Sequence, residues 1–278
     1  MAGSAKTERE AYAKPLLIFT HANSFPAGSY RKLFAMLSSH FEVLAPPRLG
    51  HDPAHPVSDG WPQLQRELLR FVQANAGGRK VVLVGHSLGG FLNLMLAQAH
   101  PELVRCVVLL DSPVIAGWRA GALWLSKRTG LIRRFAPVAP ALRRRQEWPD
   151  VQAVVAHFAS KPGFAHWDPE MLADYAEAGT RQLGHQRVLA FERDVEARIY
   201  ATLPHRLGRL LLHPSAVPVG FIGGTASREL RMVGMAATRQ LVGPHLRWIE
   251  GGSHLFPFER PQATAQAITD LLRELTSS

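Results

Sequence analysis

Six short apolar runs, Leu16 to Thr20, Phe41 to Ala45, Lys80 to Gly85, Arg105 to Asp111, Val217 to Gly223 and His245 to Glu250, are rich in Val, Ile and Leu and do not alternate with polar residues. A strand with one face in water alternates. One without alternation is buried on both faces, as in a parallel sheet covered by helices. Apolar residues at helical spacing lie between the runs, at Tyr30 to Ser39, Trp61 to Ala76, Leu88 to His100, Glu229 to Leu241 and Pro261 to Thr276. The alternation predicts an α/β fold: a doubly wound, mostly parallel sheet with helices on both faces. In such sheets the reacting groups collect at the carboxyl ends of the strands.

One interval breaks the rhythm. From Pro113 to Pro214 no good strand is read, and the amphipathic stretches Trp118 to Leu125, Val151 to Ala159, Glu170 to Ala178 and Arg187 to Leu203 are punctuated by Pro137, Pro140, Pro149 and Pro162, which end or kink helices. The expected organisation is a core of residues 1–112 and 215–278 with an inserted helical cap, or lid, at 113–214. A chain of 278 residues with 46% hydrophobic content suits one domain with an insertion better than two independent domains.

The N-terminal segment, Met1 to Lys14, is polar and lacks the apolar stretch of a secretory signal. No run is long and apolar enough to span a bilayer. The single cysteine, Cys106, lies in an apolar run and reads as a core residue, so a reducing, cytoplasmic setting is expected. The net charge of +10 is mostly local: between Pro113 and Pro149 there are eight basic side chains against Glu147 alone, a net +7. That excess suits either a solvated helical face or an electropositive surface for anionic substrates, membrane headgroups or nucleic acid. No zinc-ligand spacing, RNA-binding signature or phosphate loop is present, so nucleic acid is not expected. Peripheral membrane contact through a basic cap helix is a further reading.

The chemistry concentrates at Gly85-His86-Ser87-Leu88-Gly89. This pentapeptide directly follows Val81-Val82-Leu83-Val84 and opens into Gly90-Phe91-Leu92, so it reads as strand, sharp turn and helix, the context a nucleophile elbow requires. Gly85 and Gly89 leave room for the turn that lifts the Ser87 hydroxyl into the open. The Leu88 N–H, at the helix N-terminus, can donate to a developing oxyanion. The bland alternative is a chance Gly/Ser turn. A serine nucleophile needs a base. Of thirteen histidines, with His21, His51, His86, His100, His185 and His213 rivals by type, only His254 combines the last strand end with a Gly-rich loop, Gly251-Gly252-Ser253-His254.

On these residues the chain resembles the α/β-hydrolase superfamily, as a capped member of serine esterase or lipase type. The resemblance covers nearly the whole length apart from the cap. It rests on the elbow, on the His254 loop followed by Pro257, Glu259 and Pro261, and on His21-Ala22-Asn23 after the first strand. Gly50-His51 resembles the family's Arg-Gly-His-Gly turn, with Leu49 and Asp52 as departures. The resemblance implies a second oxyanion donor just after His-Gly at the end of the first strand. Here Ala22 stands in place of the glycine, so the resemblance implies the Asn23 N–H as the donor, with Ser24 its neighbour; the alternative is a polar turn capping the next helix.

The family's commonest arrangement also implies an Asp after the fifth strand in a Gly-x-x-Asp pattern, where Gly224-Thr225-Ala226-Ser227 puts serine. Two carboxylates remain. Asp111 ends the strand after the nucleophile strand, a position some members use, and is favoured because a strand end is a rigid support. Glu229 is the alternative acid, and a dyad without a strong acid is a third reading. The implied activity is a cofactor-independent serine hydrolase that cleaves a carboxylic ester, or a thioester, lactone or amide, through an acyl-enzyme on Ser87, with no metal or organic cofactor. His21, Trp118 and Trp124 are the candidate substrate contacts. The apolar cap residues, among them Leu123, Leu125, Leu131, Ile132 and Phe135, either receive a small ester bearing an acyl chain or negative group or form the cap's own core. Cofactor-free haloperoxidase or lyase chemistry and a non-catalytic binding module are the alternatives on this fold.

Overall fold

The computed structural model describes residues 14–135 and 137–277. The readings made for residues 1–13 and for the Phe135 side chain lie outside the described residues. In chain order the strands are β1 (Leu16–Thr20), β2 (Glu42–Leu44), β3 (Val81–His86), β4 (Val104–Leu110), β5 (Glu147–Trp148), β6 (Thr180–Leu183), β7 (Gln186–Leu189), β8 (Val219–Gly224) and β9 (Leu246–Ile249). The principal helices are α1 (Arg31–Leu37), α2 (Pro62–Ala76), α3 (Leu88–Ala99), α4 (Gly117–Arg128), α5 (Val151–Ala159), α6 (Pro169–Ala178), α7 (Arg193–Ala201), α8 (Arg228–Val233), α9 (Ala236–Val242) and α10 (Pro261–Ser277).

Six strands form one sheet in the order β2-β1-β3-β4-β8-β9, and every neighbouring pair is parallel. The non-alternating runs are explained by two cores. Leu16, Ile18, Leu83 and Leu109 pack with residues of α2 and α3 on one face. Leu17, Phe19, Val84 and Val108 pack with residues of α1 and α10 on the other. The register sets Thr20 opposite Gly85 and His86 opposite Leu110, so β1, β3 and β4 end level with one another. Cys106 is buried in the second core, where burial pushes its thiol up to about 12.

The segment between β4 and β8 is not purely helical. It contains a three-stranded antiparallel sheet in the order β5-β7-β6, which corrects the expectation of no strand there. Leu183 pairs with Gln186 around Gly184 at φ +58°, a two-residue turn at whose first central position glycine meets no steric penalty. These strands are short and only partly buried, so they carry no apolar run to betray them. As a result Arg187 to Leu203 divides into β7 and α7. Glu229 to Leu241 likewise divides into α8 and α9 around Gly234, at φ +76°. Trp148, Val154, Phe158, Met171 and Tyr175 join the second core, tying the segment to the sheet. Among the described residues no helix is long and apolar enough to cross a membrane.

Candidate active site

Ser87 stands between the end of β3 and the first turn of α3 with φ +53° and ψ −112°, a conformation that costs a non-glycine residue free energy and must be held by its surroundings. The neighbours show how tightly. A Cβ at Gly89 would lie 1.9 Å from the Thr20 carbonyl oxygen, and one at Gly90 would lie 2.2 Å from Ser112 Oγ. No side chain fits at either place. The turn is therefore possible only with glycine beside the β1 and β4 ends.

His254 Nε2 lies 3.0 Å from Ser87 Oγ, and His254 Nδ1 lies 2.7 Å from Asp111 Oδ2. The three groups reach one another from three separate elements at one sheet edge. Asp111 follows β4 with φ +48°, and its side chain is fully buried. It is also well solvated by the protein: Oδ1 accepts from the Gly224 N–H at 3.0 Å and Oδ2 accepts from the Ser227 hydroxyl at 2.6 Å. Burial alone would lower the His254 imidazole. The hydrogen bond and charge of Asp111, with smaller help from Glu229 and Glu259, raise it above its ordinary 6.5 on balance. Glu259 also anchors the His254 loop by accepting from the Ser253 N–H at 2.9 Å and from its hydroxyl.

Glu229 stands one step back. Its carboxylate is 3.4 Å from Ser227 Oγ, and that hydroxyl's single proton goes to the nearer Asp111. Ser227 Oγ in turn accepts from the Leu230 N–H at 3.2 Å, capping α8. Ligand atoms of Asp111, Glu229 and His254 lie within 4.8 Å of one another. A cation there would have to displace the 2.7 Å hydrogen bond between His254 and Asp111.

Leu88 is the first residue of α3, so its N–H has no acceptor within the helix. Asn23 is buried in the loop after β1, with its Nδ2 donating to the Glu196 carbonyl at 3.1 Å. Both backbone amides thus belong to the level edge that carries Ser87. Next to Asn23, Ser24 has φ +77°.

Two residues tie this edge together that residue type alone does not single out. Tyr30 accepts from the Ala22 N–H at 3.2 Å and donates to His86 Nδ1 at 2.8 Å, while His86 Nε2 donates to the His254 carbonyl at 2.8 Å. Burial, with the neighbouring His254 charge, holds His86 far below its ordinary value, so it is the neutral tautomer that this chain of bonds requires. A sequence signal existed: His86 ends a strand buried on both faces, where its ring nitrogens must find partners.

The sequence-derived substrate contacts, His21, Trp118 and Trp124, occupy two different settings. His21 is completely buried; Nδ1 donates to the Ala22 carbonyl and Nε2 accepts from the Leu49 N–H, each at 2.8 Å. Burial lowers it to about 4, and both nitrogens are occupied, so it braces two loops and has no atom left for a ligand. Trp118 and Trp124 lie on the outer surface, 73% and 46% exposed. No residue of α4 is buried, and Trp124 lines a groove with Ala116, Arg206 and Leu212.

A sequence profile described as the Alpha/beta hydrolase family matches residues 17–267. The chain belongs to the alpha/beta hydrolase family. Within that family it is 25% identical over 273 residues to a 2-(acetamidomethylene)succinate hydrolase of Mesorhizobium japonicum, covering 95% of this chain and 90% of the relative. The crystal structure of E-2-(acetamidomethylene)succinate hydrolase aligns with a TM-score of 0.72 at 24% identity, over 94% of this chain and 92% of that one. The Mycobacterium tuberculosis esterase Rv0045c aligns at 0.68 and 19% identity, over 94% and 86% of the two chains. At these identities the structural likeness speaks for the shared alpha/beta hydrolase fold.

Proposed function

We propose that this alpha/beta hydrolase is a serine hydrolase that cleaves a carboxylic ester through an acyl-enzyme on Ser87. The observation that carries the reading is the continuous chain from Ser87 Oγ to His254 at 3.0 Å and from His254 to Asp111 at 2.7 Å. In this account His254 takes the Ser87 proton as Oγ attacks the acyl carbonyl, and the Leu88 and Asn23 N–H groups hold the oxyanion. His254 then returns the proton to the leaving group, and the acyl-enzyme forms. Water deprotonated by His254 attacks the acyl carbon and frees Ser87. Asp111 orients the Nδ1–H tautomer and stabilises the imidazolium. Residues 113–214 form the cap over this edge and set substrate choice.

The name of the M. japonicum relative, 2-(acetamidomethylene)succinate hydrolase, makes an amide-type acyl bond the second reading. Thioesters and lactones are variants of the same chemistry.

Treatment with a fluorophosphonate, followed by assays on p-nitrophenyl esters, a thioester and an N-acyl amide, tests the proposal. Labelling and turnover by the wild-type chain, both lost in Ser87→Ala, are expected. Absence of labelling in both proteins overturns it.

A further inference from the structure

A helix on the surface of a globular protein turns its apolar side toward the core. α4 does the reverse. None of its twelve residues is buried, and Trp118, Trp124 and Leu125 stand 73%, 46% and 52% exposed. Trp118, Ala122 and Leu125 follow helical spacing on one outward face. Its inner side is only half-buried, at Ala120 and Leu123, and is tied down by Lys127, which reaches Asp59 at 2.6 Å and the Leu203 carbonyl at 2.8 Å.

The exposed apolar surface extends beyond the helix. Trp124 shares a groove with Leu212, which is 72% exposed. Arg119 Nε donates to the carbonyl of Met232 on α8 at 3.2 Å, and Met232 is also 72% exposed. Several large exposed apolar side chains gathered around one helix mark an interaction site more often than scattered single residues do. Its rim is predominantly positive, with Asp59, paired to Lys127, the acidic group that meets the helix. No acidic residue occurs from 113 to 146. The Arg119 guanidinium lies 4.7 Å from the Trp118 ring centroid, that of Arg128 lies 5.9 Å from Trp124, and Arg133 and Arg134 follow, both exposed.

We propose that this face of α4 docks on an anionic lipid bilayer. Tryptophans at the headgroup level, aliphatic side chains beneath them and arginines reaching up to lipid phosphates are the composition of a helix lying in the membrane interface. A second copy of this chain fits less well, because a two-fold interface sets a surface against itself and would bring one arginine rim against another. The location gives the contact a use. α4 begins six residues beyond Asp111, and α8, which carries Met232, is capped by the serine that hydrogen-bonds Asp111. The docking face and the Ser87 edge are therefore joined by short connections, of which Ser112 to Val114 and Ser227 are buried. The proposal is independent of the hydrolase reading.

Sedimentation of the full chain with phosphatidylcholine vesicles, with and without about 30 mol% phosphatidylglycerol, tests it. Wild type and Ser87→Ala are expected to partition onto the anionic vesicles, with a blue shift of tryptophan emission, and to leave the purely zwitterionic ones. Arg128→Gln, Arg133→Gln and Arg134→Gln should each weaken partition by about fivefold. A Trp118→Ser, Trp124→Ser, Leu125→Ser variant should lose partition while keeping the wild-type melting temperature, whereas Trp248→Ser, at another exposed tryptophan, should retain it. Equal partition onto both compositions, or onto neither, overturns the proposal. So does concentration-dependent self-association of the wild type that the triple variant abolishes in the absence of vesicle binding.

Discussion

The Ser227 hydroxyl donates to Asp111 Oδ2 across 2.6 Å. The serine standing where the family's commonest arrangement has an aspartate is thus the partner of the carboxylate that reaches His254 from the neighbouring strand. A short side chain at 227 leaves room for Asp111, which already holds the Gly224 N–H at 3.0 Å. With Asp111 as the acid, Asp111→Asn should lower kcat on a short p-nitrophenyl ester by roughly 10⁴-fold, the scale seen when a base loses its orienting carboxylate. Glu229→Gln, one hydroxyl removed from the pair, should lower it by no more than about fivefold, a loss of about 1 kcal/mol. A larger loss at Glu229 than at Asp111 would reject this assignment.

The pH profile follows from the same contact. His254 accepts a proton only when neutral, and Asp111 raises its pKa above 6.5 in the folded chain. Activity, measured as kcat/KM, should therefore fall as pH is lowered through a midpoint above 6.5. In Asp111→Asn the raising influence is lost and burial, which lowers the imidazole, dominates. The midpoint of the residual activity should then move to lower pH. An unmoved midpoint would mean that Asp111 does not govern the base.

Tyr30 joins the loop carrying Asn23 to His86 and, through it, to the His254 carbonyl. Tyr30→Phe keeps the ring and removes both bonds. One neutral hydrogen bond contributes about 1 kcal/mol, so kcat should fall by about fivefold to tenfold while KM changes little. Such a split is expected of a residue that positions groups used in the transition state. Equal kcat values in wild type and Tyr30→Phe would leave Tyr30 a packing residue only.

His21 gives the contrasting case. Its ring satisfies the Ala22 carbonyl and the Leu49 N–H, and His21→Ala would strand both in the interior at a cost of about 1–3 kcal/mol each. Urea titration should show destabilisation of that order, and KM for a soluble ester should stay within about twofold, as when no binding contact is removed. A large rise in KM with unchanged stability would restore His21 as a substrate contact.

The parallel core is legible in the sequence because a strand buried on both faces leaves an uninterrupted apolar run, as Val81 to Val84 does. The elbow is legible because Gly85, Gly89 and Ser87 stand at fixed spacing beside that run. The three-stranded sheet between β4 and β8 is not, since Thr180–Leu183 and Gln186–Leu189 are short and mix polar with apolar and exposed with covered residues. The choice between Asp111 and Glu229 turns on which side chain spans a few ångströms across strands. The Tyr30–His86 bond likewise joins residues 56 positions apart. Apolar spacing in α4 suggests an inward face, and only the packing reveals that its tryptophans point outward.

The central claim is that Ser87 becomes covalently acylated. Trypsin cleavage after Lys80 and Arg105 releases a peptide in which Ser87 is the only serine. After acid quench of a reaction with p-nitrophenyl acetate, mass spectrometry should find an acetyl group on Ser87 in the wild-type peptide, accumulating further in His254→Ala only if the base is dispensable for attack. The account predicts acetylation of Ser87 in wild type and none in His254→Ala. Turnover with an unmodified Ser87 peptide, or acetylation at equal levels without His254, would contradict it.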